Sequence, residues 1–325
     1  MTEVTRGGGT PEGAVVVIGG GVIGLTTAVV LAERRGGRGG RGRGTDVRLW
    51  SPQEPDSTTS AVAGGLIWPY RIAPEKQALQ WAVRSFRHFS WLAEQPPTTG
   101  VRLVRGSMPD STPPAEWTAL TGTPPRAPIV DMPAYLGYLR GRFEAAGGRW
   151  EQRAAHSLEQ AAAEAPSVVN CAGLGARELV PDPSVRAVRG QILVVENPGV
   201  EEWYVAAAAG ASETTYLLPQ PYGLILGGTA EEDAESREPD AATAEAIVRR
   251  CAAVRPEVAE ARVLAHRVGL RPFRPSVRLE AERVPDGRGG TSLCVHNYGH
   301  GGAGVTVSWG CAVDAARLVG PAATG

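Results

Sequence analysis

The chain of 325 residues balances 33 Lys+Arg against 34 Asp+Glu, with 42% hydrophobic residues and 42 glycines. The near-neutral charge removes the electrostatic basis for a dedicated nucleic-acid binder, and the apolar fraction excludes wholesale disorder. No run approaches the roughly 18 uninterrupted apolar residues of a membrane span, and Met1-Thr2-Glu3 offers no basic signal-peptide region. The four cysteines lack a CxxC pair, so neither a disulfide framework nor a metal site is expected and the setting reads as cytoplasmic; a Cys251–Cys294 bridge stays open.

In chain order, residues 1–13 read as a loose tail. Ala14–Ile18 is a short apolar run suited to a strand buried on both faces. A glycine turn, a helical pattern over Leu25–Arg35, a basic Arg/Gly-rich loop and the strand Asp46–Trp50 complete a βαβ unit. Helices are predicted over Glu75–Glu94, Pro133–Ala146, Ala241–Ala253 and Val305–Leu318. Strands are predicted over Arg149–Arg153 and Ser167–Cys171, over short β-rich runs between Val188 and Gly228, and over Arg262–Leu270, Val277–Glu280 and Ser292–Asn297. The fold class implied is α/β: a Rossmann-like nucleotide unit interleaved with a mainly antiparallel α+β unit. The first is assigned residues 14–70, 131–187 and 286–325, the second residues 71–130 and 188–285.

Gly19-Gly20-Gly21-Val22-Ile23-Gly24 fits GxGxxG between a strand and a helix. Gly19 permits the tight turn, Gly21 leaves room for a pyrophosphate, and Gly24 lets helix and strand approach. The helix start adds free N–H groups and positive dipole. The acid expected on the ribose is displaced: Pro52 sits near its position, leaving Glu54, Gln53 or water. A second glycine run, His300–Gly304, opens the last helix. It reads either as a nest for an anion, such as the pyrimidine edge of a reduced flavin, or as a glycine-rich helix start with two core histidines.

The string HNYGHGGAGVTVSWGCA, from His296, resembles the signature of the D-amino-acid oxidase family. So do GLRPFRPSVRLE (Gly269–Glu280), VVNCAGLGA (Val168–Ala176), RGQILVVE (Arg189–Glu196) and STTSAVAGGLIWPY (Ser57–Tyr70), in the family's order along nearly the whole chain. The resemblance implies non-covalent FAD and oxidative deamination of a neutral D-amino acid by hydride transfer to the flavin, giving a 2-oxo acid, ammonia and, with dioxygen, hydrogen peroxide. It implies Arg278 on the substrate carboxylate, assisted by Tyr216, and the Gly302 carbonyl on the amine, with Arg271 and Arg274 structural. It places the flavin against Val22, Ile23, Thr59, Ser60, Gly64, Gly65, Leu66, Gly301, Gly302, Ala303, Gly304, Val305 and Thr306, and adenine against Ala155.

Two departures bear on substrate size. Ser212 stands where a lid tyrosine is frequent, and Trp68 where some members have glutamine. The competing readings are a D-aspartate oxidase, a glycine or sarcosine-type amine oxidase, a quinone-linked flavin dehydrogenase and a flavin-bound protein without turnover. In another class is an RNA-binding segment at Arg34–Gly44, which lacks interleaved aromatics. No nucleic-acid or membrane partner is expected, and a homodimer stays open.

Overall fold

The computed structural model describes residues 13–36, 46–69, 72–109, 113–206 and 213–320. The tail up to residue 12, most of the Arg/Gly-rich loop and the Ser212 position fall outside them.

The strands in chain order are β1 (Val15–Ile18), β2 (Val47–Ser51), β3 (Val101–Ser107), β4 (Arg126–Val130), β5 (Arg149–Gln152), β6 (Ser167–Asn170) and β7 (Arg186–Val195). There follow β8 (Trp203–Ala206), β9 (Glu213–Gln220), β10 (Gly223–Thr229), β11 (Glu231–Glu232), β12 (Val263–Pro285) and β13 (Thr291–His300). One pairing path joins them in the order β4-β3-β8-β9-β10-β7-β12-β13-β6-β1-β2-β5, with β11 added to β7. From β13 to β5 every pair is parallel. From β8 to β13 every pair is antiparallel.

β1 is entirely buried, which explains its unbroken valine/isoleucine run. The helices Val22–Gly36, Gly304–Val319 and Glu75–Leu92 share its core cluster, with Leu25, Trp81, Phe89 and Val307 among the buried residues. The first of these helices starts earlier than the sequence suggests. Leu25 N–H already donates to the Gly21 carbonyl at 2.9 Å, so part of the glycine motif is itself helical.

The two strands predicted on either side of Pro272 and Pro275 are one 23-residue strand, β12. It pairs with β7 through Phe273 and with β13 mainly beyond Arg278, and its register shifts between those two residues. Prolines are tolerated at that exchange of partners, where ladder donors are not all required. β3 escapes sequence reading because Arg102 and Arg105 interrupt Val101–Ser107, of which only Val101 and Gly106 are buried, and β4 because Pro128 breaks its short apolar run. All four cysteines are buried and free, so the Cys251–Cys294 bridge is not formed.

Candidate functional site

A cavity of about 920 Å³ opens where β1, β2, β6 and β13 end, at the carboxyl edge of the parallel strands, the ordinary ligand position in such sheets. Antiparallel strands β7, β9 and β12 form its opposite wall.

The three motif glycines do different work. Gly19 adopts φ +113°, and a Cβ there would strike the Cys171 carbonyl oxygen. A Cβ on Gly24 would strike the Gly19 carbonyl, so Gly24 serves close packing and does not line the cavity. Gly21 is different: a Cβ would meet only Ser60 Oγ, at 3.1 Å, on the cavity side. Ser60 Oγ accepts the Val22 N–H at 3.0 Å and pins the helix start to the Thr59–Val62 turn. Gly19, Gly21, Val22 and Ile23 all line the cavity.

The second glycine run faces them. Gly301 has φ +54°, and the helix Gly304–Val319 begins immediately after it. Gly301, Gly302, Gly304, Val305 and Thr306 line the cavity, whereas Ala303 is turned away and buried. The Thr306 hydroxyl donates to the Trp68 carbonyl at 3.1 Å and accepts the Trp68 N–H at 3.2 Å, which fastens this helix to the Gly64-Gly65-Leu66 segment, also on the wall. Thr59, likewise on the wall, donates to the Leu270 carbonyl at 3.1 Å.

Two buried polar atoms on the wall, Asn297 Oδ1 and His300 Nε2, have no hydrogen-bond partner among the described residues. Burial pushes the His300 imidazole down to about 3, so it is neutral. Two glycine-made nests at the starts of long helices, with orphaned polar atoms between, fit an elongated phosphate-bearing dinucleotide such as FAD. Among the described residues no cluster of three or more His, Cys, Asp or Glu side chains could hold a metal.

Several expected positions shift. Glu54 is not on the wall; its carboxylate pairs with Arg140, and Ser51, Pro52 and Gln53 line the cavity instead. Ala155 packs beside the cluster containing Val16 and Trp50 and is also off the wall.

The larger correction concerns arginine. Arg278 does not line the cavity. Its guanidinium donates to Glu280 Oε1 at 2.7 Å, Glu282 Oε2 at 3.2 Å and Tyr298 Oη at 3.0 Å. Burial works against its charge, but the Tyr298 and glutamate bonds outweigh it and raise its pKa further. Tyr298 in turn donates to Asp182 Oδ2 at 2.8 Å, and Arg274 Nε donates to the same oxygen at 3.0 Å. Burial raises the Asp182 carboxyl, yet the Ser184, Tyr298 and Arg274 bonds prevail and hold it well below the usual carboxylate range. Arg278 and Arg274 are thus committed to a structural network.

Arg271, read from sequence as structural, is the strand arginine on the wall. A Cβ on Gly190 would collide with its guanidinium, so glycine there makes the room. Arg271 Nη1 donates to the Thr229 carbonyl at 2.8 Å, and no carboxylate pairs with it among the described residues. Its Cδ passes 3.4 Å from where a Gly302 Cβ would be. Tyr216 shares this wall; Gly227 and Gly228 leave space for its ring, since a Cβ on Gly228 would lie 2.7 Å from the phenol oxygen. Cavity, Arg271, Tyr216 and Gly302 therefore come together, and Arg278 does not. Sequence reading missed Arg271 because three arginines fall in eight residues, and only β12's change of partner decides which faces inward. The signal available was Gly190, an unbranched gap in an otherwise bulky strand.

The FAD dependent oxidoreductase family profile matches residues 14–122 and 123–318. A D-amino-acid oxidase of Streptomyces coelicolor is 57% identical, covering 94% of this chain and 97% of its own. One from Rubrobacter xylanophilus is 49% identical, covering 94% and 96%. The crystal structure of glycine oxidase from Bacillus cereus superposes with a TM-score of 0.71 at 17% identity, over 94% of each chain, and shares the fold. With two glycine nests, the cavity between them and these likenesses together, the chain belongs to the D-amino-acid oxidase family of FAD-dependent oxidoreductases.

Proposed function

We propose that the protein oxidises neutral D-amino acids to 2-oxo acids, with ammonia and hydrogen peroxide as the other products. The observation that carries this is the Arg271 guanidinium, anchored by the Thr229 carbonyl and paired with no carboxylate among the described residues, on the cavity wall with Tyr216 and Gly302. A guanidinium offers a planar fork to a carboxylate, and a phenol adds one further donor. Arg271 and Tyr216 hold the carboxylate, and the Gly302 carbonyl takes an amine N–H. Two fixed points and a third face leave one handedness able to present its Cα–H inward. Orientation of this kind supplies much of the catalysis. FAD held between the two glycine runs would supply the redox chemistry, acceptance of one hydride from Cα with dioxygen as the final two-electron acceptor. Water then adds to the released imine, and ammonia leaves.

The side-chain end is apolar, walled by Trp68, Met108, Ile192, Val205 and Leu218. Trp68 is fixed by Trp117 and Trp203, with ring centroids 5.6 and 5.3 Å away. Among the described residues lining the cavity, Arg237 is the only cation besides Arg271, and it shares its stretch of wall with Glu231 and Glu232. Both acids are engaged elsewhere, Glu231 with Arg189 and Glu232 with Arg186, so it is the apolar wall that favours neutral side chains, and the D-aspartate reading needs Arg237 to reach the substrate side chain. We read residues 14–70, 131–187 and 286–325 as the cofactor-holding unit and residues 71–130 and 188–285 as the substrate-facing one. Among the described residues no helix is long and apolar enough to cross a membrane. The four free, buried thiols suit a cytoplasmic setting.

The test is a visible spectrum of the purified protein followed by anaerobic D-alanine, L-alanine and D-aspartate. Bleaching by D-alanine alone is expected. Bleaching by L-alanine, or a protein that takes up no FAD, overturns the reading.

A further inference from the structure

We propose that Arg189 is a positioning residue for Arg271, acting from the opposite face of β7. The proposal rests on the reading of Arg271 as the carboxylate-binding group.

β7 alternates its side chains as a strand must. Val188, Gly190 and Ile192 face the cavity. Arg189 and Gln191 point the other way and are buried, at 4% and 0% exposure. A buried guanidinium needs acceptors for its donors, and Arg189 finds four, three of them on residues 231–238 and one on Gln191 of its own strand. Its Nε donates to the Ser236 carbonyl at 3.0 Å and Nη1 to Glu231 Oε1 at 2.7 Å. Its Nη2 donates to the Glu238 carbonyl at 2.6 Å and to Gln191 Oε1 at 3.0 Å. Gln191 Nε2 donates to the Asp240 carbonyl at 2.8 Å, and the Asp240 N–H returns a bond of 2.9 Å to Gln191 Oε1. Arg189 therefore gathers the segment 231–240 onto the back of the strand that Arg271 lies across.

The connection to the cavity is Thr229. Its hydroxyl donates to Glu231 Oε1 at 3.0 Å and accepts the Gln191 N–H at 3.0 Å. Its carbonyl is the acceptor that holds Arg271 Nη1. The chain Arg189–Glu231–Thr229–Arg271 thus crosses from one face of β7 to the other. Glu231 neutralises Arg189, so the acid nearest Arg271's anchor is already engaged, and Arg271 keeps its charge for a ligand. Lysine could not replace Arg189: one ammonium on a shorter reach cannot meet acceptors spread around a planar fork.

The experiment compares flavin-loaded wild-type enzyme with Arg271→Ala, Arg189→Lys, Thr229→Val, Glu231→Gln and Glu231→Ala. It reads KM and kcat for D-alanine by oxygen uptake and FAD affinity by fluorescence quenching. Arg189→Lys and Thr229→Val are expected to raise KM about tenfold, with kcat within about twofold and FAD affinity unchanged, the signature of a misplaced binding group. Glu231→Gln keeps an acceptor for both partners and should recover most of what Glu231→Ala loses. Thr229→Val retains Arg189 and the side-chain shape, so it stands even if Arg189→Lys fails to fold. The proposal is overturned if Thr229→Val shifts KM by less than about twofold while Arg271→Ala raises it strongly. It is also overturned if KM, kcat and FAD affinity deteriorate together in Thr229→Val, which marks general loosening. An unchanged KM in Arg271→Ala instead strikes the carboxylate reading itself.

Discussion

The two walls of the cavity recognise by different means. The parallel wall works through backbone: Gly19, Gly21 and Gly301 let the chain pass close to the cavity at two helix starts. The antiparallel wall works through side chains: Arg271 and Tyr216 project into space that Gly190, Gly227 and Gly228 leave open. The first wall tolerates changes in most neighbouring side chains but not in chain path. On the proposed reading, the second depends on one guanidinium and one phenol being held at the right height. Variants on either side should therefore fail differently, in flavin affinity and folding on one and in substrate handling on the other.

The sharpest break between the walls is expected at arginine. Arg271→Ala should lower kcat/KM for D-alanine by on the order of 10²–10³, equivalent to about 2–5 kcal/mol for stripping one partner from a desolvated charge pair. Flavin affinity should be unaffected. Arg278→Ala, seven positions along the same strand, should leave kcat/KM within about threefold and lower stability by about 1 kcal/mol, because its glutamate partners are exposed and Tyr298 keeps Asp182. Steady-state kinetics on the two variants side by side decide the assignment; loss of turnover in Arg278→Ala alone would reverse it.

Within the parallel wall, Gly24→Ala and Gly21→Ala should separate folding from binding. The Gly24 substitution forces a methyl against the Gly19 carbonyl, backbone that cannot yield locally. A loss of about 1–3 kcal/mol in unfolding free energy is expected, as for other overpacked sites. Gly21→Ala meets only Ser60 Oγ and should leave the flavin-free protein's melting temperature unchanged while FAD binding weakens roughly tenfold, since the methyl occupies the pyrophosphate's approach. Thermal unfolding with and without FAD distinguishes the two; equal loss of stability in both would mean Gly21 also serves packing.

This asymmetry explains what could be read before the structure. The parallel wall was legible because its devices are spacings: GxGxxG after a buried strand, and a glycine run before a helix. Both glycine runs line the cavity, apart from Gly24 and Ala303. Ala155, and Glu54 among the three options for the ribose, lie off the wall because they follow strands whose exit direction no local pattern states, whereas Gln53 lines it. The antiparallel wall was only half legible. Tyr216 was legible only through the family resemblance, and Arg271 and Arg278 have the same residue type in the same motif. Which one faces the cavity depends on β12 leaving β7 for β13, a non-local event marked in sequence only by Pro272 and Pro275.

Tyr216→Phe probes the second wall more gently. The ring keeps its place against Gly227, and only the phenol donor is lost. A single hydrogen bond to a charged carboxylate accounts for about 1.5 kcal/mol, so KM should rise about tenfold with modest change in kcat. A large fall in kcat with KM unchanged would place the hydroxyl on the reacting bond instead of the carboxylate.

The smallest effect returns to the parallel wall and to pH. Burial pushes His300 down to about 3, and His88, desolvated and beside Arg142, down to about 4. Both are neutral when folded and take up a proton near pH 6.5 when unfolded. The unfolded chain therefore binds more protons below that pH, and stability falls as pH falls from 7 toward the folded-state values. Between pH 7 and pH 6 each imidazole should remove somewhat under about 1 kcal/mol. Asp182 and Glu282, whose pKa values are held down, act only at lower pH, near and below the ordinary carboxylate range, so this window isolates the histidines. Urea unfolding of the flavin-free protein at the two pH values should show the drop, to which buried His296, its pKa also lowered, adds, and His300→Asn should remove only the His300 share of it. An undiminished pH dependence in that variant would mean that His300 finds a proton-sharing partner in the folded protein, and that its bare Nε2 on the cavity wall is not held for the flavin.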